Sequence, residues 1–568
     1  MATKWGVFLC NCNHTLEIDL QRLDLPTPYI QLASHPNTDL QEFAALARRE
    51  RFDRALVSCC THTTLFDDTL GAAGADAPQI HFVNLKELGF GSHADIERAH
   101  AKVSRLLRAA MQSAEIHTES AYNPLRAGGR ILIATDTALG LYLARQLRDV
   151  ALPYFVVGAD TLGFEQTPSW RVYRGRVREV KGRLGDFHVT IENAGSPDHR
   201  ELQADQVVII SQSPSSSVTS RTGCYLLTHP REVDIDQLAD RIRNLIGDFL
   251  KIVHVRYHPD VCAGGVADQE ACGLCISACP YEAISRDRQN HLRMTVDHLV
   301  CEGCGACVSA CPTSALRYTE PSPHALYTRL AALLTLLPGS NHVERPVALF
   351  HCAEQGRRVL DEAGRRPLPY PASVLPVEVP CLRYVSEANM LAAFRLGAAG
   401  VGLLGCETCQ HGERVLLYQK LDFCRLTLEA FDLGAERLRF ITADDGTEEE
   451  AIRALSHFAE TLEAAPIQPD SQPIGHTSNR QVIAETLATF IEQTGREPGR
   501  RTLHGSHPFA FAEVQADGCT LCRSCVNVCP VHAFKLDEHT SSLQFKHLAC
   551  VACGLCETVC PEHVITLR

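Results

Sequence analysis

The chain has 568 residues, 26 cysteines and a formal net charge of −13, a length that accommodates about three to five domains. The acidic balance argues against a nucleic-acid partner, and the longest apolar run, at Leu330–Leu337, is far too short to span a bilayer. Met1-Ala-Thr-Lys-Trp5 is not a secretory leader, so this many cysteines at metal-ligand spacing point to the cytoplasm, where thiolates stay available to iron.

Residues 1–125 alternate short apolar strands, at Trp5–Leu9, Tyr29–Ala33, Ala55–Ser58 and Ile80–Val83, with helices at Leu40–Glu50 and Ala94–Met111. That alternation predicts a parallel α/β layer, whose working groups collect beyond the carboxyl ends of its strands. Cys10 and Cys12 follow the first strand, His35 the second, and Cys59 and Cys60 the third. Together they are candidates for a [4Fe–4S] cluster, against the alternative of buried or redox thiols. Adjacent residues rarely aim both sulphurs at one metal, so His35 is a candidate to replace Cys59 or Cys60.

Residues 126–257 open like a dinucleotide fold, with a strand at Arg130–Ala134, a helix at Ala138–Arg148, a strand at Pro153–Val157 and Asp160 where a ribose-binding acid would stand. The turn reads Thr135-Asp-Thr137-Ala-Leu-Gly140 and keeps only the last of three expected glycines. A threonine Cβ obstructs the approach of backbone to a pyrophosphate. An antiparallel meander over Arg171–Asn193, a strand at Gln206–Ile210, a helix at Ile235–Phe249 and a strand at Lys251–Arg256 follow. The expectation is a shortened, degenerate flavin-type domain without FAD, and Cys224 as a small buried residue.

Residues 258–320 carry Cys262, Cys272, Cys275 and Cys279-Pro280, then Cys301, Cys304, Cys307 and Cys311-Pro312. The second set is the C-x2-C-x2-C-x3-C-P run of a bacterial ferredoxin, whose fourth cysteine ligates the other cluster of the pair. One [4Fe–4S] cluster is therefore assigned to Cys301, Cys304, Cys307 and Cys279, its partner to Cys262, Cys272, Cys275 and Cys311. Nine residues separate Cys262 from Cys272 where two are usual. Either that loop bulges and returns Cys262, or Asp260 or water takes the fourth iron.

Residues 321–465 begin with an amphipathic helix at His324–Leu337, read as packing rather than membrane binding, and continue as a second α/β alternation. Its strands end at Phe350, Val379, Leu404 and Ile441, and its helices include Glu387–Leu396, Gly412–Leu428 and Glu448–Leu462. Cys352, Cys381, Cys406 and Cys409 follow the strands, a set that suits a [2Fe–2S] centre, with zinc as the alternative. Cys424 reads as core. Residues 466–514 hold a Pro/Gln/Ser linker to Ser478 and a helix at Gln481–Glu492. Residues 515–568 repeat the ferredoxin motif, with Cys519, Cys522, Cys525 and Cys560 for one [4Fe–4S] cluster and Cys550, Cys553, Cys556 and Cys529 for the other. Zinc or disulfides are poor alternatives for these four runs. Only Cys224 and Cys424 are left over.

With these residues in view, the chain resembles two families. Gly6-Val-Phe-Leu-Cys10-Asn-Cys12, Ala55-Leu-Val-Ser-Cys59-Cys60-Thr-His62 and Val83-Asn-Leu-Lys-Glu87, with both ferredoxin modules, resemble the FAD-carrying A-type subunit of heterodisulfide reductase. That resemblance implies an N-terminal cluster, supporting Cys10, Cys12 and Cys60 as ligands, and an FAD domain that here has lost its glycines. Leu349-Phe-His-Cys352, Val379-Pro-Cys381, the run Ala393–Gly402 and Leu404-Gly-Cys406-Glu-Thr-Cys409-Gln-His-Gly412 resemble the iron–sulphur delta subunit of methyl-viologen-reducing hydrogenase. That one implies a [2Fe–2S] adapter.

The expected fold class is an α/β multidomain chain of parallel α/β units plus two bacterial-type di-cluster ferredoxin modules. The expected function is a multi-cluster electron-transfer subunit of a cytoplasmic redox complex. Its expected partners are a flavoprotein dehydrogenase, formate dehydrogenase, hydrogenase or disulphide-reductase-like subunit. The rivals are an FAD-containing heterodisulfide-reductase-like oxidoreductase and an iron–sulphur scaffold or sensor.

Overall fold

The computed structural model describes residues 3–11, 16–33, 36–58, 77–90, 93, 95–116, 120–158, 170–193, 199–211, 218–228, 230–266, 268–335, 345–407, 409–412, 414–444, 446–470, 472–475, 478–499 and 509–568. Trp5–Cys10 is buried along its whole length, as a central strand of a covered parallel sheet must be. It pairs in parallel with Ile30–Ala33 on one side and Arg54–Ser58 on the other, and Gln79–Phe82 completes the sheet. Helix Pro36–Glu50 covers one face, where Phe43 and Leu40 pack with Phe8 and Val57. Helix Ile96–Ala114 covers the other, and Asp95 caps it by accepting from the N–H groups of Glu97 and Arg98.

A seven-stranded sheet comes next. Arg130–Thr135, Leu152–Val157, Gln206–Ile210, Cys224–Leu227 and the start of Arg171–Arg183 run parallel. Arg171–Arg183 then continues as the antiparallel meander with Asp186–Asn193 and His199–Ala204. The helix expected over 235–249 instead spans Glu232–Asn244. Gly247, at φ +141°, starts a strand, Gly247–Ile252, paired antiparallel with Tyr122–Ala127. Asp248-Phe-Leu-Lys251 is apolar enough to extend a helix pattern, yet its partner strand decides the matter. The strand expected over 251–256 likewise splits. Val255–Tyr257 leaves this unit and pairs with Leu316–Tyr318 to close the ferredoxin-type module.

The last large sheet takes Val374–Val379, Val347–Cys352, Gly400–Cys406 and Leu438–Ala443 in that spatial order, all parallel. The strand order, second-first-third-fourth, is the same as in the N-terminal sheet. Helix Pro323–Leu334 buries Leu326, Tyr327, Leu330 and Leu333 in the core it shares with helix Ile96–Ala114, a packing role. Residues 466–475 are not a loose linker where described: Ile467 is buried and Asp470 accepts from Arg395 Nε at 2.8 Å. No helix among the described residues is long and apolar enough to cross a membrane.

Candidate iron–sulphur sites

In the first ferredoxin-type module, Gly303 (φ +67°) and Gly305 (φ +73°) take the left-handed conformation that turns successive N–H groups inward. A Cβ at Gly305 would stand 2.7 Å from Tyr384 Cβ, so this loop is fitted tightly against the last four-stranded sheet unit. Burial pushes the Cys275 thiol up to about 12, and the thiolates of Cys311, Cys272 and Cys262 add to the rise. Cys307 is raised by burial and then by Cys304, Cys301 and Cys279. The structure thus gathers Cys262, Cys272, Cys275 and Cys311 in one place and Cys301, Cys304, Cys307 and Cys279 in another. Four buried thiols are a poor resting state for a protein, and replacing their protons by a cationic metal core relieves it. Ala315 N–H donates to Cys311 Sγ at 3.2 Å, the kind of bond that steadies a ligating sulphur.

The Cys262–Cys272 insertion is a miniature hairpin. Gly265–Val266 pairs with Gln269–Glu270, and Cys272 N–H donates to Ala263 O at 3.1 Å, so the chain returns Cys262 beside Cys272. Arg286 holds the hairpin through Gly264 O (2.9 Å), Ala271 O (3.1 Å) and the Glu270 carboxylate (2.8 Å).

The second module repeats this. Cys519, Cys522, Cys525 and Cys560 line one pocket, and Cys522 is exposed. Burial raises Cys556 to about 12, reinforced by Cys553, Cys550 and Cys529. Ala533 N–H donates to Cys529 Sγ at 3.2 Å, matching the bond at Cys311. The modules face each other: after burial, the thiolates acting on Cys272 are those of Cys311, Cys262 and, from the other module, Cys553.

In the last sheet unit, Cys352 and Cys406 end adjacent strands, with their Sγ atoms 4.0 Å apart. Two sulphurs on one tetrahedral ion with bonds of ~2.3 Å stand about 3.8 Å apart, so the pair fits a shared metal. The Cys409 thiol neighbours those of Cys406 and Cys381, so the four sulphurs lie in succession. Cys352 is lowered to about 7 by its bond to Cys406, and Gly356 N–H, opening helix Gln355–Arg365, donates to it at 3.2 Å. Among all the described residues, no three His, Cys, Asp or Glu side chains stand close enough together to hold a metal ion.

Cys10 is buried at the carboxyl end of the first strand, the position that Cys352 holds in the matching sheet. Cys12, His35, Cys59, Cys60 and Asp160 lie outside the described residues. In the unit built on the seven-stranded sheet, Thr135 Oγ1 accepts from Thr137 N–H at 3.1 Å and donates to Thr137 O at 3.0 Å. The hydroxyl thus occupies an N–H that a phosphate would need. Gly140 survives because its Cβ would strike Thr135 Cγ2 at 2.4 Å. Cys224 and Cys424 are fully buried core residues.

Several residues that tie the sites together carry no signal in the sequence. Tyr281 and His411 are hydrogen-bonded through Oη and Nδ1, each two residues beyond a cysteine of a different site. Cys381, Cys304 and Tyr281 share one apolar cluster, with Cys279, Cys301 and Cys409 packed against it. Glu302 accepts from Lys251 (3.0 Å) and from Thr222 Oγ1 (2.6 Å), anchoring the Cys301 loop to the unit that carries the seven-stranded sheet.

Residues 347–465 match the family model described as methyl-viologen-reducing hydrogenase, delta subunit, and residues 270–315 and 518–564 each match the 4Fe-4S dicluster domain. Over 131 residues, 22% of this chain, there is 28% identity to the D-type iron-sulfur subunit of the vhu F420-non-reducing hydrogenase of Methanococcus maripaludis, covering 98% of that protein. An oxidoreductase from Agrobacterium tumefaciens of known crystal structure is 21% identical over 15% of this chain and 36% of its own, with a TM-score of 0.12. The fold, cysteine pattern and family matches define an iron–sulphur electron-transfer subunit. It joins two ferredoxin-type domains and a hydrogenase-delta-type domain in one polypeptide.

Proposed function

We propose that this chain is the multi-cluster relay of a cytoplasmic redox complex, built to hold its cysteine sites in a row. The observation that carries the reading is their succession. The Cys352, Cys381, Cys406, Cys409 site touches the Cys279, Cys301, Cys304, Cys307 site through the cluster around Tyr281. That site adjoins Cys262, Cys272, Cys275 and Cys311 through Cys307 and Cys275. Cys272 in turn faces Cys553 of the Cys529, Cys550, Cys553, Cys556 site, and the Cys519, Cys522, Cys525, Cys560 site ends the row at an exposed sulphur.

When bound, four [4Fe–4S] clusters and one [2Fe–2S] centre supply one-electron chemistry across a wide range of potentials. The protein orients thiolates, supplies N–H donors to their sulphurs and excludes water. The all-cysteine donor set at Cys352, Cys381, Cys406 and Cys409 suits a [2Fe–2S] centre, with zinc as the alternative. The layout is 1–125 with a further [4Fe–4S] cluster around Cys10, Cys12 and Cys59 or Cys60; 126–257 as scaffold; 258–320 and 515–568 as ferredoxin modules; 321–465 as the hydrogenase-delta-type adapter; and 466–514 as connector. The filled Thr135 turn supports a scaffold role and, with it, descent from a heterodisulfide-reductase-like flavoprotein. The similarity to a hydrogenase subunit supports a hydrogenase or related dehydrogenase as one partner.

Iron, acid-labile sulphide and flavin per purified chain test this. About eighteen irons are expected from four cubanes and the [2Fe–2S] centre, and about twenty-two with the N-terminal cluster. Stoichiometric FAD would overturn the scaffold reading.

A further inference from the structure

We propose that Lys420 is a buried cation shared by two iron–sulphur sites, positioning the backbone around both and raising the reduction potential of each. The inference rests on the cluster reading above. Lys420 lies on helix Val415–Ala430, in a stripe with Leu417, Leu421, Cys424 and Leu428, and is almost fully buried. Its ammonium donates to Ser309 Oγ at 2.6 Å, Arg383 O at 3.2 Å and Val385 O at 3.2 Å. An ammonium has three protons to donate, and these three oxygens use all of them.

The three acceptors lie between the two sites. Ser309 is midway between Cys307 and Cys311, on the short helix Ala306–Ala310 that joins a ligand of one cubane to a ligand of the other. Arg383 and Val385 belong to the turn that follows Cys381. Ser309 Oγ also lies 2.5 Å from Arg383 O, so the serine, the turn and the ammonium form one knot between the first ferredoxin-type module and the hydrogenase-delta-type domain.

All three acceptors are neutral. A buried ammonium without a bonded carboxylate is costly unless opposite charge stands close by. The charged groups around it are Glu387, Arg383, Cys381 and Cys304. Burial is the largest influence; with Arg383 acting in the same direction and Glu387 and the two thiolates opposing, Lys420 is lowered to about 8. Two of the four groups are therefore proposed ligands, one from each site. Cysteinyl clusters carry net negative charge that grows on reduction, and a fixed positive charge favours the reduced form. A lysine that served only to cap carbonyls would have no such effect on potential.

The test is a set of anaerobic EPR-monitored redox titrations on the full chain, with iron and sulphide measured on each sample. In Lys420→Gln, the equilibrium constant for reducing each of the two sites is expected to fall about tenfold, which is ~59 mV for a one-electron couple. Lys420→Arg keeps the charge and should stay within about threefold of wild type. Ser309→Ala, which keeps the ammonium and loses one acceptor, should also stay near wild type. Full iron content in Lys420→Gln with unmoved potentials would overturn the proposal.

Should Lys420→Gln lose its clusters, the pH dependence of the two potentials in wild type and Lys420→Arg decides. In wild type both potentials should become more negative as pH rises through about 8, and in Lys420→Arg they should not. Identical pH profiles would overturn the proposal. Wild-type protein lacking iron at either site would instead overturn the cluster reading, and the iron analysis separates the two failures.

Discussion

The phenol of Tyr281 and the imidazole of His411 meet across the seam between the first ferredoxin-type module and the hydrogenase-delta-type domain, ring planes at 90° and centroids 5.8 Å apart. Burial lowers the His411 pKa and keeps Tyr281 protonated, so the phenol donates and Nδ1 accepts. The guanidinium of Arg221 stands 5.3 Å from the Tyr281 ring and adds the unit of the seven-stranded sheet to the junction. Tyr281→Phe would strand a buried acceptor, at a cost of about 1–3 kcal/mol. The expected outcome is an earlier denaturant midpoint with iron content unchanged, together with slower electron equilibration between the two sites in freeze-quench EPR. A variant that matches wild type in both would make the contact incidental.

The hairpin between Cys262 and Cys272 yields a second expectation. Arg286 bonds three carbonyls of this region and the Glu270 carboxylate. Arg286→Ala frees the hairpin without touching a cysteine. Iron should drop by about one atom per chain as a single cubane loses its weakly held corner, and Cys262→Ser should produce the same spectrum. Gly264→Ala is a third route, since its Cβ would lie 2.5 Å from Leu292 O. If Arg286→Ala keeps its iron and its spectrum, the hairpin's own backbone bonds suffice.

Whatever carries a period or a spacing is legible in this sequence. Val347-Ala-Leu-Phe-His351 is an unbroken buried run, and the structure makes it a central parallel strand with Cys352 at its end. Tyr122–Ala127 is not legible, because Pro124 argues against a strand; it survives as part of a two-stranded ribbon paired only with Gly247–Ile252. Lys420 is legible in principle, as a charged residue inside the apolar stripe of its helix, but the stripe alone does not say which oxygens await it. The Tyr281–His411 contact joins residues 130 apart, and no local pattern reports such a pairing.

The seam between the N-terminal sheet and the hydrogenase-delta-type domain should respond to pH. Asp361 is half-buried and accepts from Asn84 Nδ2 at 3.1 Å, and burial followed by the Glu87 carboxylate raises its pKa. A carboxyl whose folded pKa is raised above its unfolded value of 3.8 binds more protons in the folded state. Its charge therefore weakens the fold above the raised pKa, and that penalty disappears as pH falls toward 3.8. Asp361→Asn should be more stable than wild type at pH ~7, with the gap narrowing on acidification. Paired denaturation curves at several pH values measure it, and a constant gap would remove Asp361 from the account.

Arg480 governs how the second ferredoxin-type module meets the first. It opens helix Asn479–Thr494, whose first residue donates through Asn479 Nδ2 to the carbonyls of Val308 (3.3 Å) and Cys311 (3.2 Å). The Arg480 guanidinium carbon lies 3.7 Å from the centroid of Phe509, at the entrance to the second module. Burial lowers its pKa to about 10, and the thiolate of Cys550 opposes that, so the cation stands between the modules in reach of a proposed ligand. Arg480→Met keeps most of the apolar volume and removes the charge and the planar stack. A desolvated cation–π contact is worth about 2 kcal/mol, enough to loosen the hold of helix Asn479–Thr494 on the second module. The expected result is unchanged iron per chain and loss of the magnetic coupling between the Cys272 and Cys553 sites in the reduced EPR spectrum. Arg480→Lys, which keeps the charge but not the planar stack, should fall between the two. Coupling retained in Arg480→Met would mean that helix Asn479–Thr494 docks the modules without it.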